Sequence, residues 1–67
     1  MKLKFNSQTA FNTAFNSLVG NNFKFDTYRD ELALKFFTSE CVVNAKLEIV
    51  AHGLVDGSDF EYDRYAA

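Results

Sequence analysis

Apolar positions recur along this chain with two different periods. Between residues 7 and 19 the spacing is three to four. Phe11, Phe15, Leu18 and Val19 share one side, while Gln8, Asn12, Thr13, Asn16 and Ser17 fall largely on the other. The two phenylalanines belong to a tandem repeat, Thr9-Ala10-Phe11-Asn12 followed by Thr13-Ala14-Phe15-Asn16. A four-residue period stacks side chains on one helical face, so this segment predicts an amphipathic helix. Asn6 or Ser7 can cap its start, and Gly20 with Asn21 can take the left-handed turn that ends it. Core packing is the expected role of Phe11 and Phe15, ahead of a place in a partner's groove, because a small domain needs its aromatics inside.

From Cys41 to Val55 the period shortens to two. The odd positions Cys41, Val43, Ala45, Leu47, Ile49, Ala51, Gly53 and Val55 are apolar or glycine, and the even positions are mostly polar. A strand with one buried face has this pattern, and its length predicts a bend or bulge near Asn44. Asp56-Gly57 then fits a two-residue hairpin turn. Counting outward gives a C-terminal hairpin of about 45–55 with 58–65. In it Val55 faces Ser58, Gly53 faces Phe60, Ala51 faces Tyr62 and His52 faces Glu61. Phe60 and Tyr62 would then cover two small residues from the inner face.

Residues 23–38 support two readings. A hairpin turning at Asp30-Glu31 sets Phe25 against Phe36 and Asp26 against Lys35, with Leu32 and Leu34 sharing the apolar face. A helix over 27–37 instead aligns Tyr28, Leu32 and Phe36 and pairs Glu31 with Lys35. The alternation Phe23-Lys24-Phe25-Asp26 tips the balance toward the hairpin. Under either reading the fold class is α+β: a small two-layer domain with an amphipathic helix packed on an antiparallel sheet.

The chain has 67 residues, no proline and three scattered glycines, so a single domain over 1–67 without a linker is expected. Seven Lys and Arg against nine Asp and Glu give a net charge of −2, which supplies no global attraction to DNA or RNA. The sign is uneven. Residues 1–25 carry Lys2, Lys4 and Lys24 without an acid, whereas 56–64 carry Asp56, Asp59, Glu61 and Asp63 against Arg64. One cysteine excludes an intramolecular disulfide and suits a reducing compartment. No apolar run approaches the roughly 18–20 residues of a membrane span. A cytoplasmic protein without a membrane partner is the expectation.

Candidate chemistry is sparse, and an enzyme is not expected. On an extended strand Cys41 and His52 would point to opposite faces, more than about 30 Å apart at about 3.3 Å per residue. One Cys and one His cannot build a four-ligand zinc site. The acids from Asp56 to Asp63 miss the spacing of a calcium loop. Ser39 and Ser58 have no histidine or acid framed around them, and no glycine-rich phosphate loop occurs. No catalytic residue, metal or cofactor is assigned. Phe60, Tyr62 and Tyr65 alternate with acids, which is the wrong sign for an RNA-stacking sheet.

What remains is a protein-binding surface on the last strand: Asp56, Asp59, Glu61, Asp63 and Tyr65, complementary to a basic, often nucleic-acid-binding, surface of a larger protein. An inhibitor or modulator of such a protein is the expected role. Short, linker-free chains of this kind are frequent among phage accessory proteins, including anti-defence and anti-CRISPR proteins, an association of size and composition alone. Two alternatives stand beside it. One is a homodimer joined through an unpaired sheet edge, and the other is weak nucleic-acid binding through the N-terminal lysines.

Overall fold

A computed structural model of the protein describes residues 1–63. In chain order its elements are β1 (Lys2–Phe5), α1 (Gln8–Gly20), β2 (Asp26–Tyr28), a 3-10 turn (Arg29–Glu31), β3 (Ala33–Lys35), α2 (Ser39–Ala51) and β4 (Phe60–Asp63). The strands make one sheet in the order β2-β3-β1-β4, and every neighbouring pair is antiparallel. β3 thus lies between β1 and β2, and β1 lies between β3 and β4. Two β-α-β units, β1-α1-β2 and β3-α2-β4, interleave. This is the split β-α-β, or ferredoxin-like, topology. The α+β class and the helix-on-antiparallel-sheet layering expected from the sequence are what the structure shows.

The two units match at a constant offset of 31 residues. Leu3-Lys4-Phe5 corresponds to Leu34-Lys35-Phe36, and Ser7 to Thr38. Ser7 accepts the Ala10 N–H and Thr38 accepts the Cys41 N–H, each at 3.1 Å, so both helices begin on a side-chain cap. They also end alike. Asn22 (φ 63°) and Gly53 (φ 96°) take the left-handed conformation. After them the Phe23 N–H reaches Leu18 O at 3.0 Å and the Leu54 N–H reaches Ile49 O at 3.2 Å. With Asn22 N–H to Val19 O and Gly53 N–H to Val50 O, both ends are Schellman motifs, each followed by an apolar residue packed on the core. The left-handed residue of α1 is therefore Asn22, whereas the sequence pointed to Gly20 with Asn21.

Residues 23–38 form the hairpin. Asp26 pairs with Lys35, as counted from Asp30-Glu31, and the Phe25 and Phe36 rings lie 5.7 Å apart. The turn is one 3-10 turn closed by Leu32 in the left-handed region (φ 53°). The expected strand over Cys41–Val55, its bulge near Asn44, and the C-terminal hairpin of 45–55 with 58–65 are all replaced. Residues 39–51 are helical, and β4 pairs with β1: Phe60 with Phe5, Glu61 with Lys4, Tyr62 with Leu3, and Asp63 with Lys2. His52 caps α2 and does not face Glu61.

The physical reason lies in α2 itself. Residues 41, 45 and 49 form one row at helical spacing, and 43, 47 and 51 form a second row. Two apolar rows, each with a period of four and offset by two positions, look like a period of two. Gly57 does take a positive φ of 91°, but its turn joins α2 to β4, with its N–H on Phe60 O at 2.8 Å.

The core lies between the inner sheet face and both helices. Leu3, Phe5, Leu34, Phe36 and Phe60 meet Phe11, Ala14 and Leu18 of α1, and Val42, Ala45 and Ile49 of α2. Six phenylalanines run through it as a chain, Phe60–Phe5–Phe11–Phe15–Phe25–Phe36, with successive ring centroids 5.7–6.2 Å apart. Phe11 is fully buried. Phe15 is half-buried, with the Arg29 guanidinium 5.0 Å from its ring centre.

Candidate functional site

The acids singled out by sequence are spread over the β4 side of the molecule, and each has a neighbour. Asp56 forms an ion pair with Lys46 of α2 at 3.0 Å. Asp59 Oδ2 accepts the Val55 N–H at 2.7 Å and shapes the loop. Glu61 and Asp63 stand on the outer sheet face directly across from Lys4 and Lys2 of β1. The basic and acidic ends of the chain, far apart in sequence, are thus adjacent columns of one sheet. Phe60 is buried and Tyr62 is partly exposed. Tyr65 lies outside the described residues.

Lys2 and Lys4 share the outer face of β1, and Lys24 lies elsewhere. Lys2 is buried against the sheet, with Nζ 3.1 Å from Glu31 Oε1 and 4.3 Å from the centre of the Tyr28 ring. Lys4 faces Glu61, and Lys24 lines a separate open depression with Cys41 and Asn44. Across the outer face the charges run acidic on β4, basic on β1, Lys35 on β3 and Asp26 on β2, so Lys2 and Lys35 stand opposite each other between two acidic edge strands. Opposite charges face each other between β4 and β1 and between β3 and β2, where they favour pairing.

One cluster escaped the sequence reading. Ser17 Oγ of α1 lies 3.3 Å from Glu48 Oε2 and 3.1 Å from His52 Nδ1, both on α2, and Nδ1 is 3.0 Å from the same carboxylate. Serine, histidine and a carboxylate together invite a hydrolase reading, which the geometry rejects. A catalytic triad places the imidazole between hydroxyl and carboxylate, one ring nitrogen for each. Here every partner crowds Nδ1, and the Glu48 main-chain oxygen joins them at 3.1 Å. Hydroxyl and carboxylate thus meet the same ring nitrogen and each other, so no acid orients the far side of the ring. The cluster clamps α1 to α2. Ser17 and Glu48 correspond under the 31-residue offset, so it sits where the two units meet.

Cys41 packs half-buried in the first turn of α2. His52 is at the other end of that helix, about 16 Å away at about 1.5 Å per residue. Among the described residues no group of three or more His, Cys, Asp or Glu converges on a metal position. No described helix is long and apolar enough to cross a membrane.

The most unusual surface is on α2. Its Val42, Ala45 and Ile49 face the core, and Glu48 and His52 face α1. On the opposite flank Val43, Leu47 and Val50 form a stripe at i, i+4, i+7 and are 56%, 67% and 48% exposed. Val55, also exposed, follows in the loop next to Asp56, the partner of Lys46. The first unit supplies an internal control. The matching positions of α1 are Asn12, Asn16 and Val19, all exposed and two of them polar. The same place in the same topology is polar at two positions of α1 and apolar at all three of α2, so the architecture does not require the stripe.

No family model, curated protein or solved structure matches the chain.

Proposed function

We propose that this chain is a small, non-enzymatic protein-binding module, an inhibitor or modulator that docks its α2–β4 side on a larger protein with a basic surface. The observation that carries this reading is the Val43–Leu47–Val50 stripe beside the acids of the β4 loop. Water-exposed Leu and Val in a contiguous row cost free energy that a partner recovers on binding. Interfaces that combine an apolar centre with a charged rim bind in this way. The acidic loop that leads into β4, with Asp56 on Lys46 of α2 and Asp59 behind it, contributes the rim, and the sign of the partner follows from it.

The test is capture from a lysate of the native host by the wild-type protein beside an Asp56→Asn, Glu61→Gln, Asp63→Asn variant. Amides are the right replacements, because lysines at 61 and 63 would face Lys4 and Lys2. One larger protein held by the wild type and weakened in the variant is the expected result. Capture unaffected by the variant moves the site off the acidic segment. No capture, together with self-association in sedimentation, favours a homodimer.

A further inference from the structure

The partner's docking element follows from the α2 stripe, granted the binding-module reading above. We propose that Val43, Leu47 and Val50 form the seat for a basic amphipathic helix of a different protein, laid along α2. Spacings of four and then three residues are those a helix presents to another helix, the seam of knobs-into-holes packing. That seam runs about 10 Å along α2 at about 1.5 Å per residue, two turns of an apposed helix.

The rim sets the sign of the occupant. Glu40, seven residues before Leu47, is exposed on the same side of α2. Asp56 reaches this flank through Lys46, and Asp59, in the same loop, holds Val55 in place. Lys46 and Asp56 neutralise each other at 3.0 Å, so Glu40 and Asp59 leave this flank net acidic. An apolar seam edged by carboxylates complements a helix with Leu or Val at 4-3 spacing and Lys or Arg beside them, the helix-in-groove mode of recognition.

A second copy fits worse. Across a two-fold axis at the middle of the stripe, antiparallel α2 helices set Lys46 beside Lys46 and each acidic loop near the other copy's Glu40. Nor does β4 invite a twin strand. Its outer-face residues are Glu61 and Asp63, like charges under any antiparallel self-pairing, and the Gly57 N–H already occupies Phe60 O.

Methyl NMR of the full chain, with three synthetic 18-residue peptides as probes, tests the proposal. One peptide carries leucines at 4-3 spacing with Lys and Arg flanks, the second the same leucines with Glu flanks, and the third the basic composition scrambled. The basic seam peptide is expected to shift the Val43, Leu47 and Val50 methyls to saturation. The other two should bind at least about tenfold more weakly, as should the basic peptide to a Leu47→Gln variant. Equal binding of the acidic and basic seams, or shifts confined to β4, would overturn it. So would methyl shifts that grow with protein concentration alone, which would make a second copy the occupant. The two readings fail separately. A lysate partner captured equally by wild type and Leu47→Gln leaves the binding module standing and removes its helical seat.

Discussion

Asn22 and Gly53 hold the same post in the two β-α-β units, and they bear its backbone requirement differently. Both have positive φ just past a helix end, where a side chain with a Cβ is crowded and glycine is not. Gly53→Ala should therefore cost about 1 kcal/mol of stability in urea unfolding, while Asn22→Gly should be neutral or gain a few tenths. An alanine at 53 without measurable cost would mean that this turn relaxes to another conformation. The phenylalanine pair separates by burial in the same way. Phe11 is fully enclosed, so Phe11→Ala should cost about 3–5 kcal/mol, close to the whole stability of a chain this short. Phe15 is half-buried with Arg29 over its ring, and Phe15→Ala should cost distinctly less. Equal losses from the two would contradict the burial difference.

At the scale of elements, α2 carries two apolar rows of different purpose, and substitution should tell them apart. Ile49→Ala empties a buried site and should cost about 2–5 kcal/mol, whereas Leu47→Gln, at an exposed site, should stay within about 0.5 kcal/mol of wild type. Similar losses would mean that the outer row is needed for folding and is not a surface held for a partner. The same double row explains how far the sequence could be read. α1 was legible because its outer positions, Asn12 and Asn16, are polar and leave one clear stripe. The β2–β3 hairpin is legible in the alternation Phe23-Lys24-Phe25-Asp26, and counting from Asp30-Glu31 sets Asp26 opposite Lys35, the register observed. In α2 the apolar outer row erased the amphipathic signal, although Thr38 before it and Gly53 after it are ordinary helix start and stop residues. With α2 taken for a strand, Glu48 and His52 fell on one strand face with no link to Ser17, and the interhelical clamp was invisible. β1 offers only four residues, too few for a pattern, and its match to Leu34-Lys35-Phe36 is the signal that was there to be found.

At the scale of the molecule, the charge segregation along the chain has a structural use that its sequence positions conceal. β1 is a central strand, and it sets Lys2 and Lys4 against Asp63 and Glu61 of the edge strand β4. The basic beginning and the acidic segment of the chain thereby lie side by side where β4 joins β1. Directly opposed like charges on neighbouring strands destabilise a sheet by about 0.2–1 kcal/mol, and opposite charges stabilise it by a similar amount. Glu61→Lys should therefore lower stability by about that amount, and Lys4→Glu should do the same by setting two acids face to face. The double exchange Lys4→Glu with Glu61→Lys restores opposite signs and should recover most of the loss, more so at low salt than at high salt, because exposed pairs are screened. Urea unfolding of the four proteins at two ionic strengths measures this coupling. Strictly additive losses would mean that the β1–β4 register rests on Leu3, Phe5 and Phe60 beneath the sheet alone. The acids of β4 would then be free of a structural task and wholly available to a partner.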